Sequence, residues 1–268
     1  MGTITLLTDF GHRDNYVGVM KGVIAGISPQ SQLIDITHAI KSQDILAARF
    51  NLLTSYGYFP AGTIHIVIVD PGVGTQRSAI AAQIATSVGV HTVIAPDNGI
   101  ITGLPVTAAV ALTNQDYWRT PHASHTFHGR DIFAPAAAHL ARGISFGQLG
   151  VSLSVSNLVG LDIDDVAKTN QGYCGCIQYS DHFGNLVTNI PGARLSNQTW
   201  HIYLGKHCIP NCTTYGLTEV GSALALVGSH GYVEIAVNGG NAAEILNGDV
   251  GDSVELSYAL HGLGRGAL

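Results

Sequence analysis

Basic charge is scarce in this sequence: Lys and Arg number 12 against 18 Asp and Glu, and the four types together make up only 11% of 268 residues. Nucleic-acid binding rests on a basic stripe that neutralises phosphates. The few cations here are scattered and the formal net charge is -6, which excludes nucleic acid as a partner. Long apolar runs are missing as well. None reaches the roughly 18 residues of a membrane span, so no membrane partner is expected. The N-terminus "MGTITLLTDFGHRD" has no basic region before its apolar run and meets Asp9 too early for a secretory signal; the expected location is cytoplasmic. Cysteine is sparse, in two close pairs, "CGC" (Cys174, Cys176) and "CIPNC" (Cys208, Cys212). That spacing suits a zinc site or small buried hydrophobes on strands.

Apolar residues and glycine are abundant. With 46% hydrophobic residues and 33 glycines the chain is core-rich, with many tight turns. Its length exceeds that at which a single core usually stops growing, so two domains are expected.

The rhythm of the sequence changes along the chain. Up to about Gly150, apolar runs such as "TITLLT", "QLIDIT" and "TIHIVIVD" alternate with the helix-like "DNYVGVMKGVIAGIS" and "SQDILAARFNLLTSYGYF". Asp14 is expected to cap the first helix, and Ser42 or Gln43 to open the second. Further strands are expected at "SAIAAQIAT", "HTVIAP" and "TAAVALT", and a helix at "APAAAHLARG" with Pro135 in its first turn and Gly143 closing it. From Gly172 only short strands remain, "GYCGCIQYS", "NLVTNI", "WHIYL", "ALALVG", "YVEIAVN" and "DSVELSYAL", between turn-forming clusters. The expected fold is an α/β N-terminal domain with a central, mostly parallel sheet (residues 1–160), a linker (161–171) and a C-terminal antiparallel β-barrel domain (172–268).

Three polar features interrupt the apolar pattern. In open parallel sheets ligands sit beyond the carboxyl ends of strands, and Asp9 and Asp70 both follow apolar runs. Asp9 is placed to take both hydroxyls of a ribose or, more simply, to cap a turn. Asp70 opens "DPGVG", with Arg77 close behind, an arrangement that serves a ligand or an ordinary loop ion pair. The third feature, "HASHTFHGRDIFAP", holds His122, His125, His128, Arg130 and Asp131. Its histidines suit a metal, a general base at His128 or a solvated loop.

Taken together, "TLLTDFG…DNYVGVMKGVI", "VIVDPGVGTQR", "APDNGI", "FHGRDIFAPAAAHLA", "DHFGNLVTNI" and "GYVEIAVNGGNAAE" resemble, in order and over nearly the whole chain, the S-adenosyl-L-methionine (SAM) hydrolases, or SAM hydroxide adenosyltransferases, relatives of the fluorinases and chlorinases. The resemblance implies hydrolysis of SAM to adenosine and L-methionine by water attacking ribose C5′, with no cofactor and no metal. It implies a homotrimer with active sites at subunit interfaces. The family's catalytic Asp, Arg and His fall on Asp70, Arg77 and His128. Its ribose carboxylate falls on Asp9, and its methionine and adenine contacts on Asp181, Asn185, Ser229, Glu234 and Val237, the last through backbone atoms. Two other readings stay open on the residues alone: a metal-dependent hydrolase using the His/Asp cluster, and a SAM or nucleoside binder without turnover.

Overall fold

A computed structural model describes residues 2–196 and 198–259. The chain divides into two compact units, Met1–Leu161 and Asp162–Leu268.

The first unit is built on β1 (Thr3–Thr8), α1 (Tyr16–Ile27), β2 (Gln32–Thr37), α2 (Ile45–Ser55), β3 (Ile64–Ile68), β4 (Ala79–Thr86), β5 (Gly89–Pro96), β6 (Val106–Ala111), α3 (Ala134–Ala141) and β7 (Val151–Leu153). Its sheet has the order β2-β1-β3-β5-β4-β6-β7. The strands β2, β1, β3 and β5 run parallel, whereas β4 pairs antiparallel with β5 and β6, and β6 with β7. The sheet is therefore mixed rather than mostly parallel. The reason is local: Ser87 and Val88 alone separate β4 from β5, and so short a loop joins only antiparallel neighbours.

Alternation decides what the sheet buries. Ile4, Leu6, Ile66 and Ile94 share a core with Met20 and Ile24 of α1 and with Ala134 and Ala137 of α3. Leu7 and Val67, pointing the other way, are equally buried, so both faces are covered, as near-continuous apolar strands require. Each such side chain contributes about 1.5–3 kcal/mol on burial. Asp44, one residue beyond the expected opening, caps α2 by accepting a hydrogen bond from the Ala47 amide (2.9 Å). Asn15 rather than Asp14 occupies the N-cap of α1, with no side-chain bond. Pro135 sits in the first turn of α3, and Gly143 follows its end with φ +97°.

The second unit comprises β8 (Ala167–Lys168), β9 (Gly172–Ser180), β10 (Leu186–Pro191), β11 (Trp200–Leu204), β12 (His207–Pro210), β13 (Ala223–Val227), β14 (Tyr232–Val237), α4 (Ala242–Leu246) and β15 (Ser253–Tyr258). Its antiparallel order is β12-β11-β15-β9-β10-β14-β13, with β8 beside β9. The two edges approach each other where the Cys212 amide donates to the Ala225 carbonyl (2.7 Å), making the sheet barrel-like. Ile177, Leu186, Ile202, Ile235 and Leu256 fill it. Of the strand expected at "DSVELSYAL", Leu260 lies outside the described residues, as does the rest of the expected barrel domain to Leu268. All four cysteines are free thiols; Cys176 is buried and Cys208 exposed.

Candidate active site

The site grows from two strand ends. β1 and β3 are parallel neighbours with Thr8 opposite Ile68, so the chain leaves both strands at the same end of the sheet. Asp9 follows β1 directly, and Asp70 follows the fully buried Val69. Beyond Asp70 the chain folds back through tight turns, Val73 N–H to Asp70 C=O (3.3 Å) and Thr75 N–H to Gly72 C=O (3.1 Å), which return Arg77 to the aspartate it left. The Arg77 Nε donates to Asp70 Oδ1 (2.9 Å), and its terminal nitrogen reaches Asp70 Oδ2. The pair is bidentate and nearly buried, with side-chain exposures of 10% and 6%. It is unlike the exposed loop ion pair, whose worth is small. The guanidinium also lies over the Phe133 ring, 5.4 Å from its centroid.

The same terminal nitrogen of Arg77 contacts His128 Nδ1 at 2.8 Å. A guanidinium has donors and no acceptor, so Nδ1 must accept and the neutral imidazole carries its proton on Nε2. Burial pushes the His128 pKa below its usual value, and the Arg77 charge pushes it further the same way; Asp70 and Asp131 act against them. The trio is thus an ionised carboxylate, a guanidinium and a neutral imidazole presenting N–H.

His128 is held by the segment around it. Asp131, 1% exposed, accepts from Arg119 Nε (2.8 Å), Arg130 Nε and its terminal nitrogen (both 2.7 Å) and the Ser124 amide (2.9 Å). The Arg130 bonds, ahead of the others, hold its carboxyl far below the usual range against the opposing effect of burial. This closes residues 119–131 into a fixed loop, and Arg130 in turn lies over the Phe127 ring. The chain continues from His128 as a π-turn over Gly129–Phe133 into α3. A Cβ on Gly74 (φ +77°) would collide with the His125 carbonyl oxygen, so the Asp70 loop and the histidine loop interlock at a position only glycine fits.

A cavity beside the trio is lined by Asp9, Phe10, Tyr16, Gln43, Asp70 and His128, among others. Phe10 and Tyr16 both pack against Phe127, at 6.0 and 5.2 Å between ring centroids. Asp9 Oδ2 accepts the Gln43 amide (2.9 Å). Of the residues expected from sequence, the first unit therefore brings Asp9, Asp70, Arg77 and His128 together. Among the described residues no group of three or more His, Cys, Asp or Glu converges as a metal site, either at His122, His125 and His128 or at the cysteine pairs.

The remaining candidates lie in the second unit. Asp181 directly follows β9 and accepts from the Phe183 and Asn185 amides (2.9 Å each) and from Asn185 Nδ2 (3.0 Å), so Asp181 and Asn185 form one turn. Glu234 is buried in β14 and accepts from the Tyr215 hydroxyl (2.7 Å) and His230 Nε2 (3.0 Å). Ser229 is exposed in the turn before β14, and Val237 is buried at its end. Sequence reading assigns no site role to Gln43, Phe10, Phe127, Tyr215 or His230. The aromatic residues carry no spacing signal, and the Gln43 bond to Asp9 depends on backbone conformation.

The models of the SAM hydroxide adenosyltransferase N-terminal and C-terminal domains match residues 4–150 and 175–255 respectively. The chain belongs to the SAM hydroxide adenosyltransferase family. Within curated relatives it is similar to an (R)-S-adenosyl-L-methionine hydrolase of Salinispora tropica, with 36% identity over 95% of this chain and 97% of that protein. A fluorinase of Nocardia brasiliensis is more distant, at 24% identity over 94% of this chain and 96% of that one. An uncharacterised conserved protein of Thermotoga maritima has a similar solved structure, with TM-score 0.86 and 33% identity over 95% of this chain and 99% of that one. The family's two domain models fall in the two units, one in each.

Proposed function

We propose that this protein hydrolyses SAM to adenosine and L-methionine through attack of water on ribose C5′. The observation that carries the reading is the Asp70–Arg77–His128 trio beside a cavity that Asp9 also lines, in a chain 36% identical to a named (R)-SAM hydrolase. The sulfonium makes methionine a ready leaving group. As the water oxygen bonds to C5′, the C5′–S bond breaks with its electron pair passing to sulfur, and one water proton must leave. Water is a weak nucleophile, so the protein's contribution is to position it and remove that proton.

Arg77 occupies one lone pair on each Asp70 oxygen, and each oxygen retains another, so Asp70 takes the proton. His128 is engaged at Nδ1 by Arg77 and donates from Nε2 to the water oxygen, which aligns the nucleophile without taking its proton. An ionised carboxylate at this position would repel a desolvated halide, which favours water over chloride or fluoride. Asp9 holds the ribose hydroxyls, while Asp181, Asn185, Ser229, Glu234 and Val237 serve the methionine and adenine ends. No cofactor is required. The working form is a cytoplasmic homotrimer with active sites at subunit interfaces; an active monomer by light scattering would contradict that assembly.

Incubation with SAM and chromatography for adenosine and methionine tests the reaction. Chelation should leave the rate unchanged, since no step here uses a metal; its loss would favour a metal-dependent hydrolase.

A further inference from the structure

Two non-glycine residues in the described chain have positive φ, Asn247 at 51° and Gln43 at 68°. Asn247 follows α4 as its left-handed C-cap, a place asparagine commonly takes. Glutamine has no such tolerance, and a residue held in this region marks stored strain that the surrounding structure must impose. Gln43 is the third residue of a four-residue turn closed by the Asp44 amide, which donates to the Lys41 carbonyl (3.0 Å), the position where a type II turn needs positive φ and favours glycine; Asp44 then caps α2 by accepting the Ala47 amide. Within that turn the Gln43 amide faces Asp9, whose Oδ2 accepts it at 2.9 Å. Asp9 Oδ1 accepts no hydrogen bond from a described residue, and both Asp9 and Gln43 line the cavity beside Asp70 and His128.

We propose that Gln43 is a positioning residue for Asp9. Its strained backbone clamps one carboxylate oxygen through the main-chain N–H, leaving the other to receive the vicinal hydroxyls of a nucleoside. This deepens the functional reading above and rests on it for the identity of the ligand. The strain is retained because a relaxed turn would carry the N–H away from Asp9, leaving its carboxylate free to rotate. Preorganisation of that kind acts on binding more than on the chemical step.

Two substitutions separate backbone conformation from side chain. Gln43→Val adds a β-branched residue that resists positive φ, whereas Gln43→Gly adopts it without strain. Calorimetry with adenosine should show Gln43→Val weakened about tenfold, the scale of one charge-assisted hydrogen bond, with Gln43→Gly intermediate between it and the parent. With SAM, Gln43→Val should raise KM by more than it lowers kcat. Added to Asp9→Ala, it should weaken adenosine binding no further. In the unliganded protein, Asp9→Ala should shift the Gln43 amide proton resonance upfield as the hydrogen bond is lost. Adenosine binding by Gln43→Val equal to that of the parent, equal weakening by the two substitutions, or an unmoved Gln43 amide resonance in Asp9→Ala would overturn the proposal. Turnover of SAM by the parent protein tests the functional reading separately, and the resonance measurement needs neither turnover nor ligand.

Discussion

A guanidinium cannot accept a hydrogen bond, so the contact between Arg77 and His128 Nδ1 fixes the imidazole's tautomer as well as its orientation. Protonation of His128 would place a proton on Nδ1 facing Arg77 and break that bond. Burial and the Arg77 charge lower the His128 pKa from 6.5, so the neutral form persists to lower pH than in a free histidine. Turnover should then be insensitive to His128 above pH 6.5 and should fall only as pH drops through its lowered pKa. In Arg77→Ala the repelling cation is gone while Asp70 remains, so the His128 titration, followed by NMR, should move to higher pH. A titration unchanged by that substitution would contradict the assigned contact. In steady-state kinetics, Asp70→Ala, Arg77→Ala and His128→Ala should each lower kcat by about 10²- to 10⁴-fold, the scale of general acid–base help. Asp9→Ala should chiefly raise KM, as expected of a group that holds ground and transition states alike.

Elements bring these residues together through loops whose fit is steric. Gly74 and His125 meet so closely that any Cβ at residue 74 must displace the histidine loop, and φ at Gly74 is positive as well. Gly74→Ala should therefore cost stability, by roughly 1–3 kcal/mol, and lower turnover by pulling His128 from Arg77. Denaturant titration and kinetics on one preparation check both effects. The longer elements are legible in sequence because their signal is periodic: β1, β2 and β9 coincide with "TITLLT", "QLIDIT" and "GYCGCIQYS". The short β8, β12 and α4 carry too few residues for a period to register. The mixed character of the first sheet was encoded in the two-residue β4–β5 connection rather than in any strand. Asp9, Asp70, Arg77 and His128 stood out as polar residues at strand ends or in loops. The positive φ at Gln43 belongs to the turn closed by the Asp44 amide on the Lys41 carbonyl, and glutamine, where such a turn favours glycine, does not signal it.

At the scale of the whole molecule, the first unit carries a buried acid sensitivity apart from its site. His65 donates or accepts at both ring nitrogens, to Thr5 Oγ1 (2.8 Å) and His91 Nδ1 (3.1 Å), and His91 Nε2 has no hydrogen-bond partner among the described residues. Both rings are fully buried. Burial, reinforced by His91, lowers the His65 pKa from 6.5 to about 3. A histidine depressed in the folded state is protonated first in the unfolded chain, so its contribution is intact above pH 6.5 and is lost as pH falls towards about 3. The slope is roughly 1 kcal/mol per pH unit for this group. Thermal denaturation should therefore show Tm falling over that interval, and His65→Gln should flatten the decline. An unaltered decline in that variant would assign the acid sensitivity elsewhere.

In the proposed reaction the trio, the cavity and the strand-end carboxylates all bear on one event, the formation of a C5′–O bond from water. Turnover of SAM in ¹⁸O-labelled water, with mass spectrometry of both products, tests that event directly. The label should appear in the adenosine 5′-hydroxyl and not in methionine. Unlabelled adenosine, or release of adenine in its place, would contradict attack of water at C5′.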